Sequence, residues 1–172
     1  MKINLSALTA IYLHEMDRFR RTLTQSLLSP VLTTSLYFIV FGSVIGGYVE
    51  KIDGISYGSY IVPGLLMLTL LTQSISNTSF GIFFPKFNGT IYEILAAPIS
   101  TLEVVLAFVG AGATKTLIVS IVIFITSLFF VDVQVKYPFL MVFLLILVAF
   151  TFALFGFLIG LMSSDFEQMS II

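Results

Sequence analysis

Two features of this 172-residue sequence could do chemistry. The first is a polar run, Thr69, Thr72, Gln73, Ser74, Ser76, Asn77, Thr78 and Ser79, set inside an otherwise apolar stretch. At helical spacing Thr69, Gln73, Ser76 and Asn77 share one face. Such a stripe either lines a polar pathway or hydrogen-bonds neighbouring helices, a contribution of about 0.6 kcal/mol per bond. The second is Lys115, a cation in apolar surroundings, whose placement at a bilayer centre would cost about 2.5–3.5 kcal/mol. It either snorkels to a membrane interface or holds an anionic substrate.

Catalytic signatures are missing from the sequence. There is no G-x-S-x-G and no H-E-x-x-H, and the carboxylates lie at the ends of apolar stretches or between them. The segment GAGATKT around Lys115 has Val109 and Thr114 where a phosphate-binding G-x-x-x-x-G-K-[ST] loop requires glycine, so no nucleotide site is expected. With no Cys and the single His14, no metal site and no bound cofactor are expected either. A formal net charge of −1 leaves no basic face for nucleic acid. The reading is of a non-enzymatic chain.

The elements that position these residues follow from composition. Hydrophobic residues make up 58% and charged residues 10%, with a mean hydropathy of +1.10, which describes a membrane protein. Four stretches are long and apolar enough to span a bilayer, approximately 28–48, 60–84, 110–131 and 138–162. They are too continuous for outer-membrane strands, so the expected fold is all-α, with four transmembrane helices. An inside N-terminus puts Lys2, Arg18, Arg20, Arg21 and Lys86 on the cytoplasmic side against Lys51 and Lys136 outside. Both termini of the chain are then cytoplasmic, and Asn4, Asn77 and Asn88, although in N-x-[ST] triplets, escape glycosylation. No cleavable signal peptide is visible.

Residues 1–26 read as an amphipathic helix, with Leu5, Leu8, Tyr12, Met16, Phe19 and Leu23 on one face and His14, Asp17, Arg18 and Arg21 opposite. The expectation is an interfacial helix, with Arg18, Arg20 and Arg21 near anionic lipid; the alternative is a helix packed on a partner. Pro30 is placed at the start of the first span. Residues 27–172 form the transmembrane domain.

Its longest cytoplasmic connection, 85–103, contains the turn signal Asn88-Gly89, a short helix over 90–97 closed by Pro98, and a Ser100-x-x-Glu103 capping box. The helix starting at Thr101 would run about 46 Å to Val131, longer than a bilayer requires. A kink at Gly110 and Gly112 is therefore expected, bringing Lys115 within a turn of the interface. G-x-x-x-G spacings at Gly42 and Gly46 and at Gly156 and Gly160 allow close helix packing, within the chain or between subunits.

Together, the amphipathic helix ending DRFRRT, the stretch LLSPVLTTSLYFIVFG, the segment GSYIVPGLLMLTLLTQSISNTSF and above all the loop FNGTIYEILAAPIS resemble the permease subunit of type 2 ATP-binding-cassette exporters. The resemblance runs from about residue 10 to the end. It implies a six-span subunit that homodimerises in a bacterial inner membrane and binds two cytoplasmic ATPase subunits, which carry the ATP and Mg. It makes residues 1–26 the connecting helix and makes Phe87, Asn88, Ile91, Tyr92, Glu93 and Pro98 the ATPase-coupling segment. Phe87, Ile91, Tyr92 and Ile94, exposed beside Glu93, would fill a groove on that partner or merely pad the membrane surface. The sequence stops at SSDFEQMSII, where the family enters a fifth span, so four of the expected six spans are present. The function implied is efflux of an amphipathic, drug-like or polysaccharide/lipid-linked substrate, coupled to ATP hydrolysis by the separate ATPase. The alternative is a nucleotide-independent four-helix channel or scaffold.

Overall fold

The computed structural model describes residues 4–45, 51–52, 54–133 and 135–170. Helix α1 (Leu5–Arg21) is capped by Asn4, whose side chain accepts from the Ala7 N–H, and it ends in Arg18, Arg20 and Arg21, cations suited to a helix C-terminus. Thr22, at φ −108° and ψ 14°, separates it from α2 (Leu23–Tyr37), which runs on into a π-helical segment, Phe38–Ile45. Pro30 lies inside α2, not at its start, because the helix begins at Leu23. Its missing N–H is therefore taken from the helix interior.

A minimal hairpin pairs β1 (Lys51–Ile52) with β2 (Ile55–Ser56), turning through Gly54 at φ 81°. Only glycine adopts this backbone readily. Helix α3 (Tyr57–Asn88) is 32 residues long, capped at its start by the Ser56 side chain. At about 48 Å it extends past a hydrocarbon core of about 30 Å. After a short α4 (Ile91–Ala96) come α5 (Thr101–Leu128), α6 (Pro138–Met162) and α7 (Phe166–Ser170). Helix α5 is unbroken through Gly110 and Gly112, so the expected kink is not a break. Among the described residues four helices are long and apolar enough to cross a membrane: Leu23–Phe41, Tyr57–Asn88, Thr101–Leu128 and Pro138–Met162. The protein is an all-α integral membrane protein.

Helix α5 is the centre of the bundle. Its small residues Ala107, Ala111, Gly112 and Ala113 are buried and allow neighbours to approach on several sides. A cluster of Leu70, Ile82, Val104, Phe108, Ala149 and Phe157 joins α3, α5 and α6. A second cluster of Phe19, Phe38, Val62, Leu66, Val119 and Ile123 joins α1, the π-helical segment, α3 and α5. The outer face of α6 is the reverse: Phe139, Phe143, Leu147, Phe150, Leu154 and Leu158 are all exposed. A face so apolar is compatible with lipid and not with water.

Helix α1 lies along α5 with Glu15 and Phe19 buried. The protein itself thus covers much of the face that spacing assigns to lipid. Tyr12 donates its hydroxyl to Thr114 Oγ1 at 3.1 Å, one of the bonds that fix this contact.

Candidate functional site

Glu15 and Arg18 are one turn apart on α1, which brings both side chains to the same side of the helix. Glu15 Oε2 accepts from Lys115 Nζ at 2.7 Å and from Arg18 at 2.8 Å. Lys115 is only 3% exposed and Glu15 2%. The expected snorkelling of Lys115 is therefore overturned: its ammonium is neutralised inside the protein by a carboxylate from another helix. An unpaired buried charge is costly, and this partner removes much of the cost. Gly81 of α3 lets the helix come close, since a Cβ there would meet Glu15 Oε2 at 3.4 Å and Arg18 at 3.7 Å.

Reading the sequence missed Glu15. The signal was present, because Glu15 lies one turn from both Tyr12 and Phe19, on the apolar face. A carboxylate in that position requires a cation, and Lys115 is the cation that answers it.

A cavity of about 610 Å³ opens beside this cluster, between α1, α2 and α3, with Met169 of α7 at its edge. Arg18 and Lys115 line it, as do Gln25 and Ser26 of α2 and Ser76 and Asn77 of α3. The predicted polar stripe is thus divided. Ser76 and Asn77 reach the cavity, whereas Thr69 and Gln73 do not line it. Thr69 returns its hydroxyl to the Leu65 carbonyl at 2.9 Å, and Gln73 accepts from Asn77 Nδ2 at 3.3 Å. Deeper, Ser74, Thr78 and Ser120 have buried hydroxyl oxygens with no hydrogen-bond partner among the described residues. Such groups are polar enough to hold water or a neighbouring helix's donor.

The connecting loop is anchored at both ends. Gly89, at φ 83°, ends α3, and Asn88 Oδ1 accepts from the Thr90 N–H at 3.2 Å and its hydroxyl at 2.7 Å, forming a local turn. Before the turn, Lys86 Nζ donates to the Leu161 and Ser163 carbonyls, both at 2.8 Å, capping the end of α6. After it, the Ser100–Glu103 capping box is present as expected. The other oxygen of Glu103 accepts from the Asn4 N–H at 2.6 Å, which ties the start of α5 to the start of α1.

Between these anchors Tyr92, Glu93, Leu95 and Pro98 face outward, Tyr92 with 73% of its surface exposed. Phe87 is also exposed, with its ring edge-on to Phe166 at 4.9 Å. Ile91 and Ile94 correct the expectation: both are half-buried and pack inward on the core cluster, as helical spacing from Tyr92 requires. Leu95 was not anticipated as part of this face. Of the remaining cations, Arg20 pairs with Asp17 at 3.8 Å on the exposed side of α1, and Arg21 is exposed.

The second glycine pair works within the chain. A Cβ at Gly156 would lie 2.5 Å from the Ile75 carbonyl oxygen, and one at Gly160 would strike the Ser79 carbonyl, so α6 packs backbone to backbone on α3. Gly42 lies in the π-helical segment, and Gly46 falls outside the described residues.

A bundle of apolar helices with a polar cavity beside a buried ion pair, and an anchored loop at one end, defines a polytopic membrane protein. The family signature of ABC-2 type transporters matches residues 6–172. The chain belongs to that family. It is 38% identical over 166 residues to the inner membrane transport permease YadH of Escherichia coli (strain K12), covering 96% of this chain and 65% of the relative. The YadH protein of Shigella flexneri matches with the same identity and coverage. The chain thus spans 65% of the length of these curated relatives. No solved structure matches it.

Proposed function

We propose that this chain is the membrane-spanning permease part of an ATP-binding-cassette exporter of an inner membrane, driven by separate cytoplasmic ATPase subunits. The observation that carries the reading is the outward face of Tyr92, Glu93 and Leu95, held on a loop anchored at one end through Lys86 and at the other through Glu103. An aromatic and an aliphatic side chain on a short, fixed helix make a docking element, and its anchors pass a displacement of the loop to α6, α1 and α5. In this reading both termini of the chain are cytoplasmic, two copies form the pathway, and ATP and Mg stay on the ATPase. The cargo is an amphipathic, drug-like or lipid-linked molecule. Family membership supports the ATPase partner.

The test is co-expression of the chain with its ATP-binding-cassette ATPase, followed by affinity capture and measurement of ATP hydrolysis in proteoliposomes. Capture and stimulation of hydrolysis are expected. Solute flux that needs no nucleotide, with no ATPase captured, would overturn the reading in favour of a channel.

A further inference from the structure

The cavity beside α1 has an uncompensated charge. Two cations, Arg18 and Lys115, share one oxygen of one carboxylate, Glu15, so the cluster carries one positive charge in excess. Only the cations face the cavity, and among the described residues no aspartate or glutamate lines it. Arg18 is held in place, its guanidinium 5.6 Å from the centre of the Phe80 ring, and it keeps a quarter of its side chain accessible. Its bond to Glu15 uses one edge of a fork of five N–H donors, which has capacity for further acceptors. Gln25, Ser26, Ser76 and Asn77 add neutral donors around the same space, and Phe19, Phe80 and Met169 add apolar wall.

We infer that this cavity is a binding site for an anionic headgroup, a phosphate or carboxylate engaged by Arg18 and Lys115, with the attached apolar portion against Phe19, Phe80 and Met169. Excess positive charge on partly buried side chains attracts an anion more strongly than the same charge on a fully exposed surface. A guanidinium fork matches the planar or tetrahedral oxygens of such groups. The lining of neutral donors suits the remaining oxygens. The inference goes beyond the exporter reading, since the site binds its ligand whether or not an ATPase docks.

The test is calorimetric titration of the full chain, without ATPase, in a neutral maltoside detergent. Three probes are used: dihexanoyl phosphatidic acid, dihexanoyl phosphatidylcholine and inorganic phosphate. Phosphatidic acid is expected to bind at least about tenfold more tightly than phosphatidylcholine. Inorganic phosphate separates the sources: binding that matches phosphatidic acid marks a site for free anions, and weaker binding marks a lipid-like ligand, with either result supporting an anion site. The variant Arg18→Gln removes the excess charge while keeping the Glu15–Lys115 pair, and should abolish the preference. The control variant Arg21→Gln removes an exposed cation that does not line the cavity and should retain the preference. Equal affinity for the two lipids in the unaltered chain, or a preference that survives Arg18→Gln in a folded protein, would overturn the inference. Because no ATPase is present, loss of binding leaves the exporter reading standing, and failed ATPase capture leaves the binding result standing.

Discussion

Lys115 Nζ lies 2.7 Å from Glu15 Oε2 across 100 residues of sequence, so the middle of the central helix α5 is joined by charge to helix α1. Removing Glu15 strands Lys115 in the protein interior, whereas removing Lys115 leaves Glu15 paired with Arg18 at 2.8 Å. Glu15→Gln should destabilise the fold by about 3–5 kcal/mol and Lys115→Met by less, because Arg18 still pairs with Glu15, whereas Glu15→Gln/Lys115→Met should recover most of the Glu15→Gln loss. Thermal unfolding of the detergent-solubilised variants, treated as a double-mutant cycle, measures this coupling. Additive losses would mean that the pair contributes no mutual stabilisation.

Backbone contact between α6 and α3 leaves no room for a side chain at Gly156 or Gly160. Leucine at either position should cost at least about 1–3 kcal/mol through overpacking. Gly64 supplies the control: a Cβ there would have no atom within 4 Å, so Gly64→Ala should be tolerated. Fluorescence-detected size-exclusion chromatography after heating distinguishes the two outcomes.

Lys86 satisfies two carbonyls at the end of α6. Lys86→Met should lose about 1.5–3 kcal/mol for each charged hydrogen bond at most, and the effect should be local. Hydrogen exchange at residues 160–166 should accelerate while exchange in the buried part of α5 stays unchanged. Uniform acceleration across both would mean that Lys86 supports the whole bundle.

The two sides of α4 should respond differently to truncation. Tyr92→Ala and Leu95→Ala remove outward side chains and should weaken ATPase capture by about tenfold or more without lowering thermal stability. Ile94→Ala removes a half-buried side chain packed on the core and should lower stability first. Unchanged capture in both Tyr92→Ala and Leu95→Ala would remove the docking role from this face.

Much of the fold was legible because local chemistry decides it. Pro138 and Met162 bound the fourth span in both sequence and structure, since a proline start and an uninterrupted apolar run leave little choice. Ser100 with Glu103, and Gly89 after Asn88, likewise act through neighbours in sequence. What escaped was tertiary. Lys115 read alone pointed to the membrane surface, because its partner is on another helix and sat in a face defined by its apolar members. Gly110 and Gly112 read as a kink, yet Gly112 is smooth helix pressed against Thr78, where small size serves packing. Ile91 and Tyr92 both looked exposable until the core fixed which side of α4 turns inward.

Helix α3 carries the hairpin at one end and the anchored loop at the other, in one continuous helix whose two prolines, Pro63 and Pro85, lie near its ends. Rotation of such a helix by about 5° about one end moves the other by about 4 Å, given a length of about 48 Å. A modest tilt imposed at the loop is thus a shift of atomic-contact size at the hairpin, with no change in the helix itself: the geometry is that of a lever, and its gain is set by the number of turns between Tyr57 and Asn88.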